Sequence, residues 1–283
     1  MSNNDIKLSN GVCLPAVMLG TFQLNTEALL SNLVSSAFSV GFKGFDTAPS
    51  YKNEEILGSV LHSFATENKI DRKDYFLSDK IDVMQMYSTS GNIESIVETQ
   101  LKKLQTSYLD LLLIHWPYER YLISTWHAME RLYNDGRVKA IGLCNVQRKH
   151  IDSVLTNAKH TGPMVVQNEI SPLCINSDTV QFCLENKITV EAYSPLCRMH
   201  PDIAEDPKIN FIAKAHKKSV GQIILRWHVQ RGIIPVFMSK KAARIRENTD
   251  IFDFALTEDE MQFIESLDRD YHLFPQSYAC PGY

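Results

Sequence analysis

Short apolar stretches alternate with longer amphipathic segments along most of this chain. Eight stretches are continuously apolar and β-prone, with a polar residue or glycine at or just beyond the end of each. They cover residues 17–21, 44–46, 75–78, 109–115, 140–144, 165–167, 190–193 and 233–237. Between them, apolar residues recur three or four positions apart, as on one face of a helix; Leu29, Leu33, Ala37 and Val40 are an example. The pattern predicts strands and helices in alternation.

The same pattern indicates how the strands are arranged. Continuously apolar strands are typical of a parallel sheet that is covered by helices. Eight such units in 283 residues predict a (β/α)8 TIM barrel, which we expect to form one domain over residues 1–283. A β-hairpin is predicted before the first barrel strand, with its turn at Asn10-Gly11. The alternative is a doubly wound sheet, but the glycine-rich loop GxGxxG that such folds usually carry does not occur, nor does GxxxxGK.

The polar residues that close the strands are the candidates for chemistry, because in such a barrel they gather at one mouth. They are Thr21, Asp46, Lys80, His115, Cys144, Asn145, Gln167, Tyr193, Ser194 and Ser239. Tyr51 follows Asp46 by five residues. A free phenol has a pKa of about 10, so it becomes a useful proton donor near neutral pH only beside a cation. Lys80 is the candidate cation.

Composition and charge exclude several classes of protein. The formal net charge is -4, which gives no reason to expect a nucleic-acid or membrane partner. The six cysteines are scattered and the first residues are polar, so we expect reduced thiols and a cytoplasmic location. The longest apolar run, residues 109–116, contains Asp110 and His115 and cannot span a bilayer. No metal-ligand spacing occurs, so we expect no metal, and the absence of GxSxG argues against an α/β-hydrolase.

Five ordered motifs at the strand ends resemble the aldo-keto reductase superfamily. They span residues 45–54, 111–117, 142–145, 192–196 and 244–248, and the resemblance covers nearly the whole chain. It implies reduction of an aldehyde or ketone by hydride transfer from NADPH. It also implies that Tyr51 is the general acid, that Lys80 lowers the pKa of Tyr51, and that Asp46 keeps Lys80 charged. His115 would donate to, or orient, the carbonyl oxygen.

The resemblance implies a cofactor site as well. Asn145 and Gln167 would hold the nicotinamide amide, and Tyr193 would stack on its ring. The remaining cofactor residues expected on the same basis are Gly20, Thr21, Phe22, Cys144, Ser194, Leu196, Ser239, Arg244, Glu247 and Asn248. The substrate is expected to be a small carbonyl compound, and its pocket is expected to include Phe22, Trp116, Tyr118 and Asp82. The aromatic tail, with Tyr271, Phe274, Tyr278 and Tyr283, would form a flap over that pocket or pack on the barrel wall.

The chain departs from the family pattern at three positions. Cys144 stands where a serine is usual, and a thiol is a weaker hydrogen-bonding group. Met238 stands where a lysine would face the adenosine 2'-phosphate, while Arg244 remains. We therefore expect NADPH to bind with a smaller preference over NADH than is typical. Asp82 stands where an aromatic residue is frequent, which would widen the pocket or favour polar substrates unless it points to water.

Two functions of different classes follow. The first is a monomeric NADPH-dependent carbonyl reductase. The second is a barrel that binds the cofactor but has a regulatory, sensor or structural role, since fold alone does not fix activity. The complete set of Asp46, Tyr51, Lys80 and His115 favours the enzyme.

Overall fold

Eight parallel strands form a closed barrel in the computed structural model, which describes residues 5–88 and 92–274. The barrel strands are β3 (Met18–Gly20), β4 (Gly44–Asp46), β5 (Phe76–Ile81), β6 (Leu111–Ile114), β7 (Ile141–Cys144), β8 (Val165–Glu169), β9 (Thr189–Tyr193) and β10 (Ile233–Phe237). Each strand pairs with the next in sequence, and β10 closes on β3 through the pair Val236 and Met18. The prediction of a (β/α)8 barrel is confirmed, and each of the eight apolar stretches overlaps one of its strands.

The predicted amino-terminal hairpin is also present. Its strands are β1 (Ile6–Lys7) and β2 (Cys13–Leu14), which pair antiparallel. Gly11 has a φ of +90° in the turn, a conformation that favours glycine. Leu8 and Leu14 are buried and belong to the same apolar cluster as Met18, Phe76 and other residues from the first halves of the barrel strands. The hairpin therefore closes the end of the barrel opposite the carboxyl ends of the strands.

Helices surround the barrel and bury their apolar faces against it. Within the described ranges they are α1 (Glu27–Ser39), α2 (Glu54–Asn68), α3 (Val83–Ser88), α4 (Ile93–Lys103), α5 (Glu119–Asn134), α6 (Arg148–Asn157), α7 (Ser177–Glu185), α8 (Pro201–Ala204), α9 (Pro207–His216), α10 (Val220–Gln230), α11 (Ala242–Thr249) and α12 (Glu258–Glu265). Leu33, Phe45 and Trp126 are fully buried in the large cluster between helices and strands. Each such side chain contributes roughly 1.5–3 kcal/mol by leaving water.

The helix starts follow the capping chemistry of the sequence. Ser219 and Gln222 form a reciprocal capping box at α10, and Thr257 and Glu260 do the same at α12. At α9, the Asp206 carboxylate accepts two backbone N–H groups, with Pro207 in the first helical position. These side chains satisfy donors that the first turn of a helix leaves free, so they set where the helices begin.

Two glycines allow close approach between elements. A Cβ atom at Gly142 of β7 would lie 2.2 Å from the Val165 carbonyl oxygen, and one at Gly58 of α2 would lie 2.3 Å from the Lys103 carbonyl oxygen. No side chain fits at either point without moving backbone, so these glycines set the spacing of β7 to β8 and of α2 to α4.

No helix in the described part of the chain is long and apolar enough to cross a membrane. Tyr278 and Tyr283, which were expected in a tail flap, lie outside the described residues.

Candidate active site

The carboxyl ends of β4 and β5 bring a carboxylate, an ammonium and a phenol together. Lys80 Nζ donates to both carboxylate oxygens of Asp46 at 2.7 Å and to the Thr47 carbonyl oxygen at 3.0 Å. It also lies 3.4 Å from the Tyr51 hydroxyl oxygen. Lys80 is fully buried and Asp46 nearly so. The sequence prediction that Asp46, Lys80 and Tyr51 converge on one small volume therefore agrees with this geometry.

The segment after β4 fixes the Tyr51 ring. Tyr51 ends a short 3-10 turn, Pro49–Tyr51, and the next residue, Lys52, adopts a left-handed conformation with φ of 57°. The buried Asn53 side chain then donates to the carbonyl oxygens of Thr21 and Leu24, at 2.8 and 3.0 Å, and accepts from the Thr47 hydroxyl at 2.8 Å. These bonds tie the turn to β3 and β4, so Tyr51 leaves the strand end in a defined direction.

Burial and charge oppose each other at Tyr51 and Lys80. Burial raises the pKa of the Tyr51 hydroxyl above its ordinary value, and the charge of Lys80 counteracts part of that rise. Burial alone would lower the pKa of the Lys80 ammonium, but the Asp46 carboxylate outweighs it and the pKa is raised. The result is a protonated phenol beside a permanently charged ammonium, which is a suitable arrangement for giving a proton to a bound oxygen.

His115 follows β6 and faces the Tyr51 ring at a centroid distance of 6.0 Å, edge to face. Its Nδ1 contacts the Asp82 carboxylate, and the Asn145 side chain donates to its carbonyl oxygen at 2.9 Å. Asp82 also accepts from the Ser50 hydroxyl at 3.5 Å. Asp82 thus lies behind His115 and does not line the cavity at the barrel mouth.

A buried carboxyl group was missed by the sequence interpretation. Glu191 of β9 accepts from Gln167 Nε2 at 2.7 Å, and the same nitrogen donates to Asp46 Oδ2 at 3.1 Å. Burial, with a smaller contribution from Asp46, raises the pKa of Glu191 to about 7. Its position in the middle of an apolar strand could have identified Glu191 from the sequence, because an acidic residue is rarely tolerated there without a buried partner.

A cavity of about 440 Å³ opens above these groups at the barrel mouth. The predicted residues that line it are Gly20, Phe22, Asp46, Tyr51, His115, Trp116, Cys144, Asn145, Gln167, Tyr193, Ser194, Leu196 and Arg244. Met238, Arg198 and Phe274 line it too. It is thus bounded by aromatic and apolar walls with a polar floor, as is usual for small-molecule sites.

Several floor residues form one hydrogen-bonded set. The Tyr193 hydroxyl donates to Asn145 Oδ1 at 2.7 Å, and the Cys144 thiol donates weakly to Gln167 Oε1 at 3.8 Å. Asn145 adopts a left-handed conformation with φ of 56°, which asparagine tolerates better than most residues. An aromatic ring, two amides and a thiol around one cavity are a donor set that fits a ring bearing a carboxamide, such as nicotinamide.

The other predicted site residues do not line this cavity. Lys80 lies beneath its floor, and the Thr21 hydroxyl donates to the Asp46 carbonyl oxygen at 3.0 Å. Ser239 is buried and accepts from the Lys241 backbone at 3.1 Å. Glu247 and Asn248 belong to α11, beyond Arg244. Tyr118 immediately precedes α5, where its ring contacts the Tyr121 ring at 5.7 Å.

The last described residues close one side of the mouth. The buried Glu169 carboxylate at the end of β8 accepts the backbone N–H groups of Leu273 and Phe274, at 2.7 and 3.2 Å. The Phe274 ring then packs edge to face against Phe22 at 6.3 Å and Tyr193 at 6.1 Å. His272 lies between the Glu169 carboxylate, 3.7 Å away, and the Cys174 thiol, 3.6 Å away. Sequence reasoning had placed Phe274 in a flap but had not identified Glu169 as its anchor.

Fold and site together define a parallel barrel whose cavity combines a phenol beside a buried ammonium with groups suited to a ring cofactor. Comparison with known proteins identifies the family to which this barrel belongs. The model of the aldo/keto reductase family matches residues 16–269, so the chain belongs to that family, and the resemblance seen in the sequence is confirmed. The protein is an NAD(P)H-dependent oxidoreductase whose family acts on small carbonyl substrates.

Similar proteins cover almost the same length. The chain is 39% identical over 270 residues to the uncharacterized oxidoreductase YtbE of Bacillus subtilis (strain 168), covering 95% of this chain and 94% of that protein. It is 37% identical to glyoxal reductase of the same organism, with 95% of each chain covered. Among solved structures, the aldose reductase of Schistosoma japonicum superposes with a TM-score of 0.89 at 29% identity, covering 97% of this chain and 95% of that one.

Proposed function

We propose that this protein reduces small aldehydes and ketones with NADPH, and that Tyr51 is the proton donor. The observation that carries the proposal is the position of Lys80 Nζ, which lies 2.7 Å from Asp46 and 3.4 Å from the Tyr51 hydroxyl below the cavity. A phenol gives up its proton readily only if the phenolate that remains is stabilised by a cation. The similarity to glyoxal reductase suggests short dicarbonyl compounds as first substrates to test.

Each residue around Tyr51 has a separate role in the proposed reaction. A bound nicotinamide supplies the hydride. Tyr51 donates its proton to the carbonyl oxygen, and Lys80 stabilises the resulting phenolate. Asp46 holds Lys80 charged in a buried position where an unpaired ammonium would lose its proton. His115, which follows β6, contacts the same carbonyl oxygen. Solvent at the barrel mouth returns the proton to Tyr51.

The cofactor would be held by the residues around the floor of the cavity. Asn145, Gln167 and Cys144 offer polar atoms for the carboxamide, and Tyr193 offers a ring face. Arg244 lines the cavity near Met238, which is 39% exposed, and would contact a 2'-phosphate, with Lys240 and Lys241 as the further cations of this segment. We therefore propose that NADPH is preferred over NADH by less than a thousandfold. Measuring kcat/KM with both cofactors tests this.

Loss of NADPH absorbance with glyoxal or methylglyoxal tests the main proposal. The wild type should turn over, and Tyr51→Phe should lose roughly two to four orders of magnitude in kcat, the usual contribution of a general acid. Tyr118→Phe is a matched control, because its ring lies outside the cavity. Tight NADPH binding without turnover on any carbonyl compound would instead favour a regulatory or sensor role.

We also propose that residues 1–283 act as one monomeric barrel domain in the cytoplasm, without nucleic acid or membrane as partner. The free thiols of Cys144, Cys174 and Cys183, all buried, support a reducing compartment. Light scattering after gel filtration should give a mass near 32.3 kDa. A dimer mass at micromolar concentration would contradict the monomer.

A further inference from the structure

Asp82 lies where the carboxyl ends of β5 and β6 leave the barrel side by side. The strand register pairs Ile81 with Ile114, so the next residues, Asp82 and His115, are direct neighbours. The Asp82 carboxylate contacts His115 Nδ1 and also accepts from the Ser50 hydroxyl at 3.5 Å. One carboxylate therefore touches both the His115 ring and the short turn that ends in Tyr51.

The Asp82 carboxyl is an anion in this environment. Burial alone would raise its pKa, but the hydrogen bond and charge of His115 and the hydrogen bonds from Ser50 hold the pKa below its ordinary value. An ionised carboxylate can only accept hydrogen bonds. His115 Nδ1 must consequently carry a proton where it meets Asp82.

This proton decides what the other ring nitrogen can do. Nε2 has no hydrogen-bond partner among residues 5–88 and 92–274, and His115 lines the cavity. A neutral ring with its proton on Nδ1 leaves Nε2 bare, so Nε2 could only accept a hydrogen bond. A carbonyl oxygen needs a donor. Nε2 can therefore donate to a carbonyl oxygen only when the ring carries both protons and is positively charged.

Asp82 supplies the negative charge that such an imidazolium needs. The side chains of His115 and Asp82 are only 12% and 15% exposed, so water screens the pair weakly. The other groups that face the ring are Tyr51, 6.0 Å away between centroids, and Trp116, at 6.4 Å. Lys80 lies behind Tyr51 and is already paired with Asp46. Of the charged groups described around His115, Asp82 is the one in direct contact with the ring.

We propose that Asp82 is a positioning residue for carbonyl reduction: it holds His115 with Nδ1 protonated and balances the charge of the imidazolium. His115 Nε2 then gives the carbonyl oxygen a charge-assisted hydrogen bond beside the proton donated by Tyr51. The proposal rests on the proposed function. It assigns to Asp82 a part in the chemistry rather than in the width of the substrate pocket.

Substitutions at Asp82 separate orientation from charge. Asp82→Asn keeps an oxygen that can accept from Nδ1 but removes the charge, whereas Asp82→Ala removes both. Asp82→Asn should lower kcat by roughly tenfold, the usual difference between a charge-assisted and a neutral hydrogen bond, with little change in KM. Asp82→Ala frees the neutral ring to carry its proton on Nε2 and still donate, so it should lose no more than Asp82→Asn, and Asp82→Glu should recover part of the activity.

The double variant Asp82→Asn/His115→Ala provides the decisive comparison. If Asp82 acts through His115, the double variant is no slower than His115→Ala alone, because residues that act as a unit are not additive. Asp152→Asn, on the exposed side of α6, removes the same charge far from the site and should leave kcat unchanged. Additive losses, or an Asp82→Asn enzyme with the kcat of the wild type, would overturn the proposal.

Nitrogen-15 spectra of the His115 ring provide a readout that does not depend on turnover. The wild type should carry the proton on Nδ1, and Asp82→Ala should shift the ring toward the form protonated on Nε2. If the wild type reduces no carbonyl compound but this difference is present, the proposed function fails while the pairing of Asp82 with His115 stands. If the ring nitrogens give the same spectrum in both proteins, the pairing itself is refuted.

Discussion

Glu191 gives the molecule a pH-dependent stability that can be calculated from its position. It is fully buried inside the barrel, and its Oε1 has no hydrogen-bond partner in the described part of the chain. Burial and the nearby Asp46 charge raise its pKa from 4.5 to about 7. A raised pKa in the folded state means that folding favours the protonated form. The stabilising contribution is complete below about pH 4.5 and is lost as pH rises through about 7.

The size of this loss follows from the two pKa values. Each pKa unit corresponds to about 1.36 kcal/mol, so the ionised carboxylate costs about 3 kcal/mol above pH 8 relative to acid conditions. Roughly 2.5 kcal/mol of this stability is lost between pH 5 and pH 8.5. A domain is typically stable by about 5–15 kcal/mol, so the effect is a large fraction of the total.

Glu191→Gln isolates this contribution, because the amide resembles the protonated carboxyl and cannot ionise. Urea unfolding of both proteins, followed by circular dichroism, should give similar unfolding free energies near pH 5. By pH 8.5 the variant should be more stable than the wild type by about 2–3 kcal/mol. Glu185→Gln, an exposed acid on α7, is the control and should show no such trend. If the difference in unfolding free energy between the wild type and Glu191→Gln stays constant across this pH range, the reasoning is refuted.

Three further predictions follow from other parts of the structure. Gly142→Ala forces a Cβ to 2.2 Å from the Val165 carbonyl oxygen, so we expect a loss of about 1–3 kcal/mol or more in urea unfolding. Gly221→Ala is the control and should lose almost nothing, because its added Cβ would lie 3.8 Å from the Asn248 and Ser219 side chains, an ordinary van der Waals distance. Met238→Lys restores a cation near the cavity and should raise the NADPH-to-NADH ratio of kcat/KM roughly tenfold, whereas Met238→Leu should not. Glu169→Gln weakens the anchor of Leu273 and Phe274 and should raise KM for apolar aldehydes more than for glyoxal. Hydrogen bonds that the protonated His272 ring donates to Cys174 and Glu169 raise the pKa of His272 to about 10. Wild-type KM should therefore also rise as pH passes through that value, and an unchanged KM in alkaline buffer would contradict the anchor.

The barrel was predictable because its signals are local and repeated. Each strand overlaps a mostly apolar run, and the helical segments have apolar residues three or four positions apart, so both can be recognised without knowing what they pack against. The convergence of Asp46, Tyr51 and Lys80 was predictable for a related reason. In a closed parallel barrel, residues at the carboxyl ends of consecutive strands must meet at one mouth, whatever the details of packing.

Contacts of the carboxyl-terminal segment were not predictable in this way. Glu169 and Phe274 are separated by 105 positions, and nothing in either local sequence indicates the other. Glu169 belongs to a strand that reads as an ordinary apolar run with a polar end. Only the folded chain shows that its carboxylate binds two backbone amides of the segment that closes the mouth. Glu191 differs, because an acid within an apolar strand already indicates a buried polar contact without naming the partner.

Asp82 shows what strand register adds to a sequence pattern. As a replacement for an aromatic residue, it was expected either to change the width or polarity of the pocket or to point to water. The pairing of Ile81 with Ile114 instead turns it toward the residue that follows β6. A shift of one residue in that register would put Asp82 beside Ile114 or Trp116, neither of which has an imidazole ring for the carboxylate to pair with. The same carboxylate would then be a pocket residue, so its contact with His115 depends on the register of β5 and β6 rather than on its own identity.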